Sequence, residues 1–334
     1  MAAPLLRNVS RKELAYAAVF VAALAALPAF VSPFTLAVLA LIFLFAFVGH
    51  AWNLMMGYAG QLSLGHALYF GVGAYAVALF GETWGISPWL GMVVAFVVAA
   101  AIGAAIGALG FRFSVKGTYF ALLTIAFAEF FRILFEHWEL VGATGGLFYK
   151  ALGPANRPLL TLRGDSLFFY YAHLVLLVLG WVFLAKIVNT RLGYFWRSVR
   201  EDEDAARALG VPAFRVKIVA VALSAGMTGI AGGWFGLMQG ALFPDRVLGM
   251  RLSIDLILAP IVGGLGTLFG PVLGAFIVVP LNELARDIAQ ADWAKDFAVH
   301  IGLHGIAGVH FLIYGLLLGA IIVFAPNGLW PWVA

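Results

Sequence analysis

Apolar residues along this chain come in long unbroken runs rather than in the alternating pattern of a half-buried strand. Ten runs can be marked: 13–31, 34–56, 62–81, 88–111, 118–136, 166–188, 215–239, 253–263, 268–284 and 304–324. Short polar or glycine-rich segments separate them. A bilayer crossing needs about 20 apolar residues, so runs eight and nine are too short to cross as full helices. Between those two lies Gly263-Gly264-Leu265-Gly266-Thr267, which will not hold a straight helix. They predict either a hairpin of two tilted helices or one long broken helix. Unpaired amides are not tolerated in lipid, and period-2 strands are absent, so the backbone must be α-helical. The expectation is an all-α polytopic membrane protein, a single transmembrane domain over residues 1–334, with roughly nine or ten transmembrane helices, some of them broken.

Composition agrees. Of 334 residues, 63% are hydrophobic and only 11% are charged, against about 25% charged in a soluble domain. That excludes an ordinary soluble enzyme. There is no cysteine, which excludes disulfides, thiolate metal sites and cysteine nucleophiles. The net charge of +4 comes with no basic run of the kind that binds nucleic acid. It fits lysines and arginines anchoring loops at a lipid surface. Alternating ten spans from an inside N-terminus gathers 1–12, 57–61, 112–117, 189–214, 264–267 and 325–334 on the cytoplasmic side. Twelve of the 20 lysines and arginines then fall on that side and seven opposite, with Arg132 in neither set. This orientation follows the positive-inside rule and places the chain as a multi-pass protein of the cytoplasmic (inner) membrane. The N-terminal basic residues Arg7, Arg11 and Lys12 precede a first span that is retained, because no small-residue cleavage site follows.

Catalytic signatures are missing. No GxxxxGK[ST] run, HExxH or GxSxG occurs, so neither a P-loop nor a common catalytic constellation is present. His300 and His304 have helical ligand spacing, but no third ligand accompanies them. No metal and no cofactor is expected, and no catalytic residue.

Charge is concentrated in one place, the loop 189–214. Its run Arg197 to Leu209 reads as a short helix. Ser198 is placed to cap it, the acidic residues Glu201, Asp202, Glu203 and Asp204 suit the positive end of its dipole, and Gly210 and Pro212 stop it. Such a helix presents Val199, Ala205, Ala206 and Leu209 beside mixed charges. It is either a solvated connector or a docking element.

Two glycine-rich breaks stand out. Gly57-Tyr58-Ala59-Gly60-Gln61-Leu62-Ser63-Leu64-Gly65-His66 interrupts the second and third runs, and Gly263 to Gly270 is the other. Paired breaks point to a transport pathway; tight turns are the alternative reading. The candidate pathway residues are Asn53, Gly60, Gln61, Ser63, Gly65, His66, Thr124, Gly263, Gly264, Gly266 and Thr267. Asn53, Thr124 and Gln239 are buried polar candidates, for helix–helix bonds or for lining a path. Glu129 and Arg132, three apart inside the fifth run, are within reach of a structural ion pair. Glycine rows 103/107/110 and 226/229/232/233/236 mark close helix packing.

Several of these segments resemble a known family. Asp204-Ala205-Ala206-x-x-x-Gly210 is similar to the EAA–xxx–G motif of ABC-importer permeases, with Asp for Glu. The run REDEDAARALGV, the segments Asn53 to Ala67, Lys116 to Glu129 and Gly263 to Pro271, and the ending Phe324-Ala325-Pro326-Asn327-Gly328-Leu329 resemble branched-chain amino-acid permeases of the LivM type. The resemblance runs in order over roughly residues 35–329. It implies a non-catalytic subunit whose short helix (Arg200 to Ala206, Leu209, Gly210) docks on separate ABC ATPase subunits. It also implies a paralogous second permease and a periplasmic or extracellular substrate-binding protein. Branched-chain amino acids are the implied cargo; related permeases carry urea, amides or other small amino acids. An ion-coupled carrier using Glu129 or Asp255 is the competing reading, and it has no need of a docking helix.

Overall fold

The computed structural model describes residues 11–85, 87–148, 162, 164–291, 293, 306–325 and 328–333. His300, His304 and the N-terminal Arg7 lie outside them. All ten apolar runs fall on helices. These are α1 (Arg11–Ala26), α2 (Pro33–Asn53), α3 (His66–Trp84), α4 (Pro88–Arg112), α5 (Thr118–His137), α6 (Ser166–Ile187), α9 (Ala213–Gln239), α11 (Met250–Gly263), α12 (Gly270–Gln290) and α13 (Ile306–Phe324). The connecting helices are α7 (Arg191–Glu201), α8 (Glu203–Ala208) and α10 (Pro244–Leu248). Among the described residues, five helices are long and apolar enough to cross a bilayer: α2 with its extension to Tyr58, α4, α5, α6 and α9. The only strand pairing among the described residues is two residues long, β1 (Leu147–Phe148) antiparallel to β2 (Ala241–Leu242).

Local chemistry sets the helix starts. Proline opens α2 after Ser32, whose Oγ accepts from the Thr35 amide at 3.3 Å. Asp165 caps α6 by accepting from the Phe168 amide at 3.0 Å. Such caps satisfy amides that have no partner inside the helix.

Small residues set the packing. Helix α9 is the central post and lies against α3 and α4. The two glycine rows read in the sequence meet here. Gly103 of α4 faces Ala225 of α9, and Gly229 of α9 sits on the Ala95 carbonyl of α4. On α3, Gly73 abuts the Gly229 backbone, and the Phe70 carbonyl abuts Gly232. No side chain fits between these backbones, so helix–helix dispersion contacts are made at the shortest range. Helix α2 packs on α6, where Gly180 receives the Phe47 ring and Phe43 meets Tyr170 edge-on at 5.1 Å.

Runs eight and nine form a hairpin. Gly263 at the end of α11 faces Gly270 at the start of α12, and Gly274 faces the Ala259 carbonyl. The pairing 263–270 and 259–274 is antiparallel. Gly264 and Gly266 take positive φ, 130° and 72°, which turns the chain back on itself; side-chain-bearing residues rarely adopt these values.

Candidate coupling and translocation site

Of the segments that the alternation of spans placed together, 57–61, 112–117, 189–214, 264–267 and 325–334 meet through their described residues at one end of the bundle; 1–10 lie outside the described residues. Arg200 reaches the Gly57 carbonyl, Lys116 reaches Glu203, and Gly328 lies on Gly264. The β1–β2 ladder lies at the opposite end, past the C-termini of α5 and α9.

The acidic loop departs from expectation in two respects. Residues 197–209 are not one helix. Asp202 adopts extended backbone (φ −154°, ψ 108°) and divides α7 from α8. Its Oδ1 accepts from the amides of Asp204 and Ala205, both at 2.9 Å. The cap is therefore Asp202, and Ser198 instead donates to the Phe195 carbonyl at 2.9 Å. Aspartate competes with the helical backbone for amides, and in a dense acidic run one aspartate won that competition. Gly210 ends α8 with φ 86°, as its position before Pro212 required. The presented face also differs. Val199 and Ala206 are buried with Ala213 in a small cluster of their own, while Ala205 and Leu209 are exposed. The buried pair anchors the helices to the bundle, which leaves Asp204, Ala205, Arg207 and Leu209 outward.

Glu203 is the rivet. Its carboxylate accepts from Lys217 Nζ of α9 at 2.8 Å and from Arg207, with Lys116 at 3.8 Å. Lys217 also stands over the Phe111 ring at 4.4 Å. Burial pushes the Glu203 carboxyl up, and the Lys217 hydrogen bond with the charges of Lys217, Arg207 and Lys116 outweighs it. The group stays below the usual glutamate range.

Asn53 joins the two glycine breaks. It ends α2, where the helix loosens into a π turn over Leu54–Tyr58. Its Nδ2 donates to the Thr267 carbonyl at 2.7 Å and its Oδ1 accepts from the Gly266 amide at 2.8 Å. A fully buried side-chain amide thus reads both polar groups of the second break. Gly57 packs on the Asn53 side chain and the Gly266 amide, with no room for a Cβ. Arg200, from the end of α7, donates to the Gly57 carbonyl and its side-chain carbons cover Gly60. Thr267 Oγ1 donates to the Gly264 carbonyl at 2.9 Å and accepts from the Gly270 amide at 3.0 Å. Loop, first break and second break therefore share one polar joint.

A second polar knot holds residues 61–67. His66 is fully buried between Ser63 Oγ (3.2 Å from Nδ1) and Ser224 Oγ of α9 (3.0 Å from Nε2). Thr124 Oγ1 of α5 accepts from the Leu64 amide at 3.1 Å, and the Thr124 backbone fills the space beside Gly65. Trp52 Nε1 donates to the Ser63 carbonyl at 2.8 Å, and Ser253 of α11 accepts from the Ala67 amide at 2.8 Å. Gln61 bonds only locally, to the Ala59 carbonyl at 2.8 Å. Gln239 is exposed at the end of α9, so it is not a buried polar group. The candidate pathway residues thus divide between the Asn53 joint and the His66 knot.

The third cluster lies outside both. Arg132 grips Glu129 in two-point fashion, Nε to Oε2 at 2.9 Å and Nη2 to Oε1 at 2.5 Å. It also reaches Glu136, with Asp245 of α10 at 3.9 Å. Glu136 is a partner the sequence reading missed, although its spacing of four from Arg132 was visible. Lys217 was legible in principle as the last charge before the apolar body of α9. Ser224 and Ser253 carry no such signal. Asp255, the other candidate ion site, stands 4.0 Å from Arg251.

A helical bundle with small-residue seams, broken helices and a riveted acidic helix pair at one end defines a multi-pass membrane transport component. The chain belongs to the family described as branched-chain amino acid transport system / permease component, which it matches over residues 34–325. It is 27% identical to the high-affinity branched-chain amino acid transport system permease protein LivM of Escherichia coli (strain K12), over 91% of this chain and 72% of that protein. It is 22% identical to the probable branched-chain amino acid transport permease protein LivM of Methanocaldococcus jannaschii, over 86% of this chain and 90% of the other. A shorter likeness, 28% over 49% of this chain and 48% of the relative, is to the autoinducer 2 import system permease protein LsrC of Salmonella paratyphi B. No solved structure matches.

Proposed function

We propose that this chain is the non-catalytic, membrane-spanning permease subunit of an ABC importer for branched-chain amino acids. The observation that carries the reading is the family match over residues 34–325. The riveted α7–α8 pair supports it, because a stand-alone carrier has no use for such an element. In this reading the α8 end faces the cytoplasm, as does the N-terminus. A separate ATPase subunit seats on Asp204, Ala205, Arg207 and Leu209. A second, paralogous permease completes the pathway, and a binding protein delivers the cargo from outside.

The geometry explains how motion would travel. Closure of the ATPase pair displaces α8. Glu203 passes that displacement to α9 through Lys217, and Arg200 passes it to Gly57 and Gly60. Asn53 then carries it from the first break to Gly266 in the second. Each link is a charge-assisted or paired hydrogen bond worth about 1–3 kcal/mol, enough to keep the parts moving together.

The test is reconstitution in vesicles with the ATPase subunits, the second permease and the binding protein. ATP-dependent uptake of labelled leucine is expected. Uptake on an ion gradient alone, with no ATPase subunit present, overturns the reading. Two variants sharpen it. Ala206→Glu forces a charge into a buried contact, and Gly210→Pro imposes a φ near −65° where the chain has 86°. Both should insert normally, keep ATP hydrolysis in the complex and lose uptake.

A further inference from the structure

Helix α5 places a charge where lipid is the wrong solvent. Its 20 residues span about 30 Å at 1.5 Å per residue, which puts Glu129 near the midpoint. The Glu129 side chain is nevertheless 47% exposed, and that of Arg132 21%. Beside them Leu122, Ala126 and Ile133 are exposed on the same stretch of helix. A charged side chain at the bilayer centre costs about 2.5–3.5 kcal/mol even on the most lenient scale. The other exposed helices show what a lipid face looks like here: Val93 and Val97 on α4, Val175 and Leu179 on α6, all apolar. Among the described residues, α5 alone of the five long apolar helices carries an acidic–basic pair near its middle. The cluster runs on towards the β1–β2 end, where Glu136 and Asp245 line a cleft of about 240 Å³ with Arg246 and Phe243.

Close packing of another helix does not account for this face. Three small residues of α5, Ala121, Thr124 and Ala128, point inward and are buried, whereas the outer face sets Ala126 among the larger Tyr119, Leu122, Phe130 and Ile133. Membrane helices that pack tightly use small residues. A carboxylate and a guanidinium flanked by exposed Leu122 and Ile133 match another object: a zwitterion with an apolar side chain.

We propose that the outer face of α5 lines the water-filled substrate path, and that Glu129 and Arg132 are its polar station for a hydrophobic amino acid. The substrate carboxylate takes the Arg132 fork in place of Glu129 while its ammonium takes the freed Glu129 carboxylate, and Glu136 keeps its own contact with Arg132, so no charge is left unpaired. After passage the two side chains close on each other again, as they stand in this structure. The inference rests on the permease reading above, in which a second permease forms the opposite wall.

The chain has no cysteine, so single thiols report cleanly. The assembled transporter, with the partner subunits also freed of cysteine, is prepared with a cysteine at Ala126 or Ile133 on α5, and with control cysteines at Val97 and Leu179. It is then treated with a membrane-impermeant, charged methanethiosulfonate. Thiols at 126 and 133 should react much faster than those at 97 and 179, and leucine-loaded binding protein should slow them. Equal, slow reaction at all four positions overturns the inference while leaving ATP-driven uptake, and hence the permease reading, intact. Arg132→Lys separates a structural role from a binding one, because it keeps the positive charge that Glu129, Glu136 and Asp245 face and removes the two-point fork. It should fold normally yet raise the KM for leucine about tenfold or more, the worth of one lost charge-assisted contact. An unchanged KM in this variant also overturns the inference.

Discussion

Helices α9 and α5 have equal mean hydropathy, yet the apolar stretch of α9 is 67% buried inside the chain and that of α5 only 28%. Their side-chain sizes account for the difference. The outer contacts of α9 are glycines and alanines, so α3 and α4 close on it backbone to backbone. The outer contacts of α5 are aromatic and branched residues with an ion pair among them. Hydropathy states that a helix belongs in a membrane. Residue size and placed charge state what stands beside it there.

Three changes would break or sharpen this contrast. The largest effect belongs to Gly232→Leu, whose Cβ would meet the Phe70 backbone carbonyl. Backbone cannot step aside, so overpacking should cost about 3 kcal/mol or more and lower the melting temperature and yield in detergent. The matched Ala126→Leu on the exposed face of α5 should stay within about 0.5 kcal/mol of the parent. Equal melting temperatures for the two would erase the distinction.

Next is Lys217→Met at the foot of α9. It leaves Glu203, whose side chain is 12% exposed, with Arg207 and Lys116 as its remaining cations. A loss of about 1–3 kcal/mol is expected, together with reduced uptake per ATP hydrolysed in the assembled transporter. Unchanged coupling would remove Glu203–Lys217 from the transmission path. The smallest effect is that of pH on the same rivet. The Glu203 carboxyl is held below its ordinary range, so its contribution is fully present above the ordinary glutamate pKa and is lost as pH falls through the folded value. The protection factors of the amides of residues 203–208, taken relative to the intrinsic exchange rate at each pH, should fall only in that acidic window, with those of residues 225–235 of α9 unchanged.

Much of this was visible along the chain. The apolar runs marked the helices, the glycine rows marked α4 against α9, and the dense charge at 197–209 marked the α7–α8 pair. Four features were not. The split at Asp202 turned on which of several adjacent acids would take the free amides. The inward turn of Val199 and Ala206 depended on where α9 begins relative to α8. The bonds Asn53–Gly266, Arg200–Gly57 and His66–Ser224 join positions 213, 143 and 158 residues apart, and a serine inside an apolar run looks the same whether or not a histidine waits across the bundle. Glu129–Arg132 was readable as a pair; its exposure was not, because exposure depends on which way α5 faces.

The α11–α12 hairpin bears on how the chain is made. Helix α11 has 14 residues, about 21 Å of helix, against a hydrocarbon core of about 30 Å. Its last glycine rests on the first turn of α12, which is synthesised after it, while Ser253 accepts from the Ala67 amide of α3, which is synthesised before it. A helix too short to span alone thus takes its place from neighbours made at two different times. A stall between Gly263 and Gly270 would leave α11 with only the earlier half of its seat.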